Sequence, residues 1–141
     1  MARYDHLPIW KDAVSLAVLL EEAVRRFPRY HKYALGVDLR RQAYAVCRGV
    51  VVANAERDGR ARAVERLAVA VEELKLLVQM GKEVKAFASF KEFERAAELA
   101  VALSKQSGGW RRSLAGEEAS ASSASASSRR RPEGAPRGAV P

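Results

Sequence analysis

One cysteine and two histidines among 141 residues leave little room for thiol, disulfide or metal chemistry. Cys47 has no partner for an internal disulfide, and no metal-ligating set surrounds it. It reads as a small buried hydrophobe rather than a reactive thiol. His6 and His31 have no cysteine or carboxylate at ligand spacing, so neither a metal nor any other cofactor is expected. No apolar run approaches the roughly 18 residues needed to span a bilayer. The opening MARYDHLPIWKD also lacks an apolar signal region, so a cytoplasmic protein with no membrane contact is expected.

Catalytic patterns are missing as well. Gly108-Gly109 lacks the flanking residues of a phosphate-cradling loop, and no serine stands in a nucleophile elbow. The Glu-x-x-His pairs that build di-iron centres in helical bundles do not occur. Glu21-Glu22 and Glu72-Glu73 read as solvated helix faces or as partners of nearby cations. An enzyme is not expected.

What the chain does have is apolar residues, 48% of the total, and a net charge of +8 that is concentrated rather than spread. From Arg25 to Arg66 there are eleven Lys or Arg against four Asp or Glu, a local net of +7. A basic block on an ordered helical segment points to a polyanionic partner more strongly than a basic total does.

Helical periodicity organises the first 112 residues. Ile9, Ala13, Leu16, Leu20, Ala23 and Phe27 form the inward face of a first helix from about Pro8 to Phe27. Proline suits its first turn, and the Phe27-Pro28 step ends it. A polar connection, Arg29 to Lys32, leads to a second helix from Leu35 to at least Asn54, broken by Asp58-Gly59. The third helix, about Arg60 to Met80, buries Val64, Leu67, Ala68, Val71, Leu74 and Val78, and Gly81 is expected to end it. Val69, Leu76 and Met80 make it apolar on another side too. Ser89 and Glu92 fit a capping box at the start of a fourth helix, which carries Phe93, Ala96, Ala97, Ala100 and Leu103 inward. Continuation through Gly108-Gly109 would place Trp110 at the bundle end, with another backbone packed closely against the glycines. Short connections favour antiparallel neighbours. The fold class read from this pattern is all-α, an antiparallel up-down four-helix bundle over residues 1–112. Residues 113–141, rich in Ser/Ala and then Arg/Pro/Gly, read as a disordered tail.

The second helix is unusual in carrying two apolar lines. At 100° per residue, Leu35, Leu39, Ala43, Val46, Val50 and Ala53 share one face, while Val37, Tyr44 and Val51 lie nearly opposite. The second line implies either a wide contact within the chain or a subunit interface. Arg40 flanks it on one side, and Arg41 and Arg48 flank it on the other. With Arg57, Arg60, Arg62 and Arg66 these residues are the candidate phosphate contacts. Tyr30, Tyr33 and Tyr44 are interleaved with the basic residues, and packing is their expected use ahead of base stacking.

Several fragments in fixed order carry a family resemblance. They are His6-Leu-Pro-Ile-Trp-Lys11, Phe27-Pro28-Arg29, Tyr33-Ala-Leu-Gly36, Arg57-Asp-Gly-Arg60, Glu73-Leu-Lys-Leu-Leu77 and Gly108-Gly-Trp110-Arg-Arg-Ser113. Together, over about residues 4 to 113, the chain resembles the four-helix-bundle superfamily of the ribosomal-RNA intervening-sequence proteins and the accessory variability determinant (Avd) of diversity-generating retroelements. The run from Val46 to Asn54 lacks the proline usual in the intervening-sequence branch, and the basic turn Arg57 to Arg60 looks more like Avd. The segments Phe93-Glu94 and Val101 to Ser107 depart from the usual helix-four pattern.

The resemblance to Avd implies a ring-like homopentamer of bundles that binds a reverse transcriptase and its template RNA and supports mutagenic cDNA synthesis, catalysing nothing itself. DNA stands as an alternative to RNA. The alternatives are an intervening-sequence-type bundle protein and a protein-interaction module whose arginines meet an acidic partner.

Overall fold

The computed structural model describes residues 4–139, with side chains through residue 124. The described residues are helices and short connections, with no strand among them. The helices are α1 (Pro8–Arg25), α2 (Arg29–Lys32), α3 (Leu35–Ala55), α4 (Arg60–Glu83) and α5 (Phe90–Ala139). The chain divides into two units, Met1–Arg111 and Arg112–Pro141. No described helix is long and apolar enough to cross a membrane.

In the first unit, α1, α3, α4 and the part of α5 up to Arg111 form a four-helix bundle. Cross-links between helices define its up-down order. Glu21, late in α1, meets Arg40 and Tyr44, early in α3. Gln42 of α3 donates to the Ala70 carbonyl of α4 at 2.9 Å. Ser104 of α5 donates to Glu72 of α4 at 2.5 Å. Gln106 reaches back to Asp12 at the start of α1 at 2.7 Å, which closes the ring of four helices.

The core contains the residues that the periodicity placed there. Leu16, Leu20, Leu39, Val46, Val50, Val64, Leu67, Val71, Leu74, Val78 and Leu103 are fully buried or nearly so. Burying a Leu or Val side chain contributes about 1.5–3 kcal/mol relative to leaving it in water. These residues are the main source of the bundle's stability, whereas the ion pairs other than Arg26–Glu92 are solvent-accessible on both sides and contribute little each. Leu35 and Ala97, expected inside, are half-buried.

Three connections differ from expectation. The polar segment after Pro28 is itself a single helical turn, α2, because proline's fixed φ pre-sets the start of a helix. Gly81 does not end α4, which runs on to Glu83. Gly81 is buried inside the helix, and a Cβ there would sit 2.6 Å from Cε2 of the Phe87 ring. The glycine is present for that approach: Phe87 packs edge-on against Phe27 at 5.2 Å and near Phe93 at 5.9 Å, tying the α4–α5 connection to the end of α1. Gly81→Ala should therefore lower stability by about 1–2 kcal/mol, through displacement of a ring held on two sides. An unchanged denaturant midpoint would show that the ring moves freely.

The capping box at α5 is half formed. Ser89 Oγ accepts the Glu92 N–H at 3.2 Å, but the Glu92 carboxylate turns to Arg26 instead of to the serine N–H. The Arg26 guanidinium, at the residue that follows α1, is the stronger partner. Helix α5 continues without interruption past Gly108-Gly109, and Trp110 is half-buried beside the start of α1. With Leu7, Pro8, Ile9, Asn54 and Gln106 it lines a cavity of about 390 Å³.

The second unit is described by itself. Its backbone is helical as far as Ala139, a course its composition did not suggest, and the side chains of residues 115–124 are exposed. Alanine is the best helix former and serine an acceptable one, so regular backbone is compatible with burying almost nothing.

Candidate functional site

The seven arginines singled out by sequence fall into two groups. Arg40 and Arg60 have partners within the chain, Arg40 in an exposed ion pair and Arg60 in partly buried hydrogen bonds. Nε of Arg40 donates to Glu21 at 2.8 Å, and the Tyr44 hydroxyl donates to the same carboxylate oxygen. Those two bonds, that from Tyr44 first, hold the Glu21 carboxyl below the usual range, while the same bond raises the Tyr44 phenol. Arg60 folds back over the turn it follows. Its Nε donates to the carbonyls of Ala53 at 3.1 Å and Glu56 at 2.9 Å, and its Nη2 donates to that of Asn54 at 2.8 Å. These carbonyls close α3, where the final residues have no intrahelical donors. Arg60 is thus the cap of the preceding helix.

The other five, Arg41, Arg48, Arg57, Arg62 and Arg66, are exposed and make no ion pair among the described residues. Arg41 and Arg48 are seven residues apart on α3, hence two turns along one line, and Arg62 and Arg66 are one turn apart on α4. Arg48 and Arg66 flank one groove of about 350 Å³ between these helices, floored by Ala45, Gly49, Val52, Ala63, Leu67 and Ala70. The floor is shallow because Gly49 lets Leu67 approach: a Cβ at Gly49 would lie 3.0 Å from Leu67 Cδ1. Two unpaired guanidinium groups on opposite walls of an apolar trough suit a ligand with phosphates along its edge.

Tyr44, in the middle of the second apolar line of α3, meets Glu21 of α1. Val37 and Val51 are half-buried within the chain, while Tyr44 remains 40% exposed. Part of this line is therefore satisfied by an intramolecular contact. On α4, Val69, Leu76 and Met80 are all exposed. Cys47 is half-buried, and desolvation pushes its thiol up, away from the reactive thiolate. Glu72 is held below the usual carboxyl range by Ser104 first and then by Lys75.

The aromatic residues are the main surprise. Packing was the expected use of Tyr30 and Tyr33, yet both are strongly exposed. No local signal decided this: Phe27 stands three residues before Tyr30, Ala34 four after it and Val37 four after Tyr33, so apolar neighbours at helical spacing were present. Among the described residues no three His, Cys, Asp or Glu side chains gather closely enough to hold a metal ion. No protein-family model and no curated protein matches the chain.

Proposed function

We propose that this chain is a non-catalytic, polynucleotide-binding accessory subunit of the Avd type, which binds template RNA and a reverse transcriptase in a diversity-generating retroelement. The four-helix bundle and the fragments from His6 to Ser113 support the family reading. The observation that carries the binding role is the set of unpaired arginines on α3 and α4, with Arg48 and Arg66 on either side of one apolar groove. Cations left without carboxylate partners are available to neutralise phosphates and release their counterions.

Self-association into a ring, a homopentamer in the Avd reading, belongs to the same proposal. It is supported by the partial exposure of Tyr44, Val37 and Val51 and by the exposed Val69, Leu76 and Met80. A ring would repeat the arginine set and raise its effective concentration on one strand.

The test is retention of structured RNA by the wild-type chain and by the variant Arg41→Glu/Arg48→Glu/Arg66→Glu, with mass followed by light scattering. The wild type should retain RNA as a multimer, and the variant should lose at least a hundredfold in affinity with its helicity intact. Equal retention by both would overturn the arginine assignment. A single-chain mass for the wild type would overturn the ring. Loss of reverse-transcriptase binding with RNA retention unchanged would favour the protein-interaction alternative.

A further inference from the structure

The end of the bundle opposite the Arg57–Arg60 turn carries features that the arginine groove does not explain. Helix α2 leaves Tyr30 83% and Tyr33 70% exposed, and Phe90, the first residue of α5, is 62% exposed. Single exposed aromatics are ordinary on a protein surface. Here they share one end of the bundle, where α1 passes through α2 into α3 and α4 passes into α5; just before α2, Phe27 packs on Phe87 and Arg26 pairs with Glu92.

The connection from α1 to α3 is basic: from residue 23 to residue 37 there is no Asp or Glu. Arg25, Arg29, Lys32, Lys85 and Lys91 have no ion pair among the described residues. Of the acids at this end, Glu92 is taken up by Arg26, while Glu22, Asp38, Glu83 and Glu94 lie on the adjoining helix ends. The antiparallel topology thus brings Lys85 of the α4–α5 connection and Lys91 of α5 to the same end as the cations of α1 and α2.

Tyr30 lies within α2, and Tyr33 is the residue that follows its last turn, three positions on. The His31 ring stands perpendicular to the Tyr30 ring at 5.1 Å, which restrains it while most of its surface faces solvent.

Solvent-facing rings on the same end of the bundle as unpaired cations match a ligand that is both polyanionic and planar. We propose that Tyr30 and Tyr33 form a stacking platform for unpaired bases of a single-stranded nucleic acid, with Arg25, Arg29, Lys32, Lys85 and Lys91 holding its phosphates. A duplex hides its base faces and meets the same surface through phosphates alone, so the platform distinguishes single strands from duplexes. This inference rests on the polynucleotide reading and adds a second contact zone, at the other end of the bundle from Arg57.

The experiment compares a single-stranded oligoribonucleotide with a duplex of the same length, using the full chain. Stacking is lost roughly 5- to 150-fold per base when its aromatic partner is removed. Tyr30→Ala/Tyr33→Ala should therefore weaken single-strand binding at least tenfold and leave duplex binding within about twofold. Tyr30→Phe/Tyr33→Phe, which keeps the rings and loses the hydroxyls, should bind the single strand as the wild type does. Circular dichroism should be the same for all, because neither side chain is in the core.

Unchanged single-strand binding by the alanine variant would overturn the platform, as would equal loss on both probes or failure of the phenylalanine variant to bind. A loss confined to acidic phospholipid vesicles would assign the surface to lipid and overturn it too. Failure of the broader reading looks different: the Arg41, Arg48 and Arg66 reversals would leave duplex binding intact.

Discussion

Between 50 and 200 mM salt, the affinity of one chain for duplex nucleic acid is expected to fall about 500-fold. Five phosphates, one for each of Arg41, Arg48, Arg57, Arg62 and Arg66, give a slope of about −4.5 in log affinity against log salt. Assembly into a ring would steepen it. Each of the five should carry its own share: Arg48→Ala should make the slope shallower by about 1. Arg40→Ala and Arg60→Ala should leave it alone, because their guanidinium groups already have partners within the chain. The measurement is a fluorescence-anisotropy titration at four salt concentrations. A slope shallower than −1 would mean that these arginines do not meet phosphates. A slope reduced equally by Arg40→Ala and Arg48→Ala would mean that the internal partners are given up on binding.

Arg60→Ala should instead unfold the bundle more easily. The guanidinium serves three carbonyls at the end of α3, two of its bonds being partly buried. Hydrogen bonds to a charged group contribute roughly 1.5–3 kcal/mol each when both ends are sheltered, and less in water. The expected loss is about 2–3 kcal/mol, or a fall in Tm of roughly 10 °C for a domain of this size. Arg57→Ala, three residues earlier and exposed, should stay within about 0.5 kcal/mol of wild type. Thermal unfolding followed by circular dichroism decides between them. Equal, small effects for both variants would remove Arg60 from its role as a cap.

This pair of arginines illustrates where reading a sequence succeeds and where it stops. Both stand in the motif Arg57-Asp-Gly-Arg60, and both were natural candidates for phosphate contacts. Residue type and spacing placed them at a turn. Whether a guanidinium points outward or curls back onto the backbone depends on the angle between α3 and α4, which no local pattern encodes. Arg40 is similar, since its partner Glu21 lies 19 residues away on another helix.

Glycine tells the same story at Gly81. Its position near the end of an apolar stripe resembled a stop signal, as glycine after a last helical turn commonly is. Its role is set by Phe87, which folds back from the connection to within 2.6 Å of where a Cβ would be. Tyr30 and Tyr33 complete the set. An aromatic residue between basic ones is equally suited to packing and to solvent, and only the course of α2 leaves both rings outside.

The sequence by itself determined the four long helices and the inward face of each, because the longest 3.6-residue line of apolar side chains on each helix is the one the bundle buries. It also determined that positive charge is concentrated between Arg25 and Arg66. Tertiary structure decided which of those cations have partners and which rings face water. These outcomes depend on distances between helices far apart in the chain, and a pattern of neighbours within one helix carries no information about them.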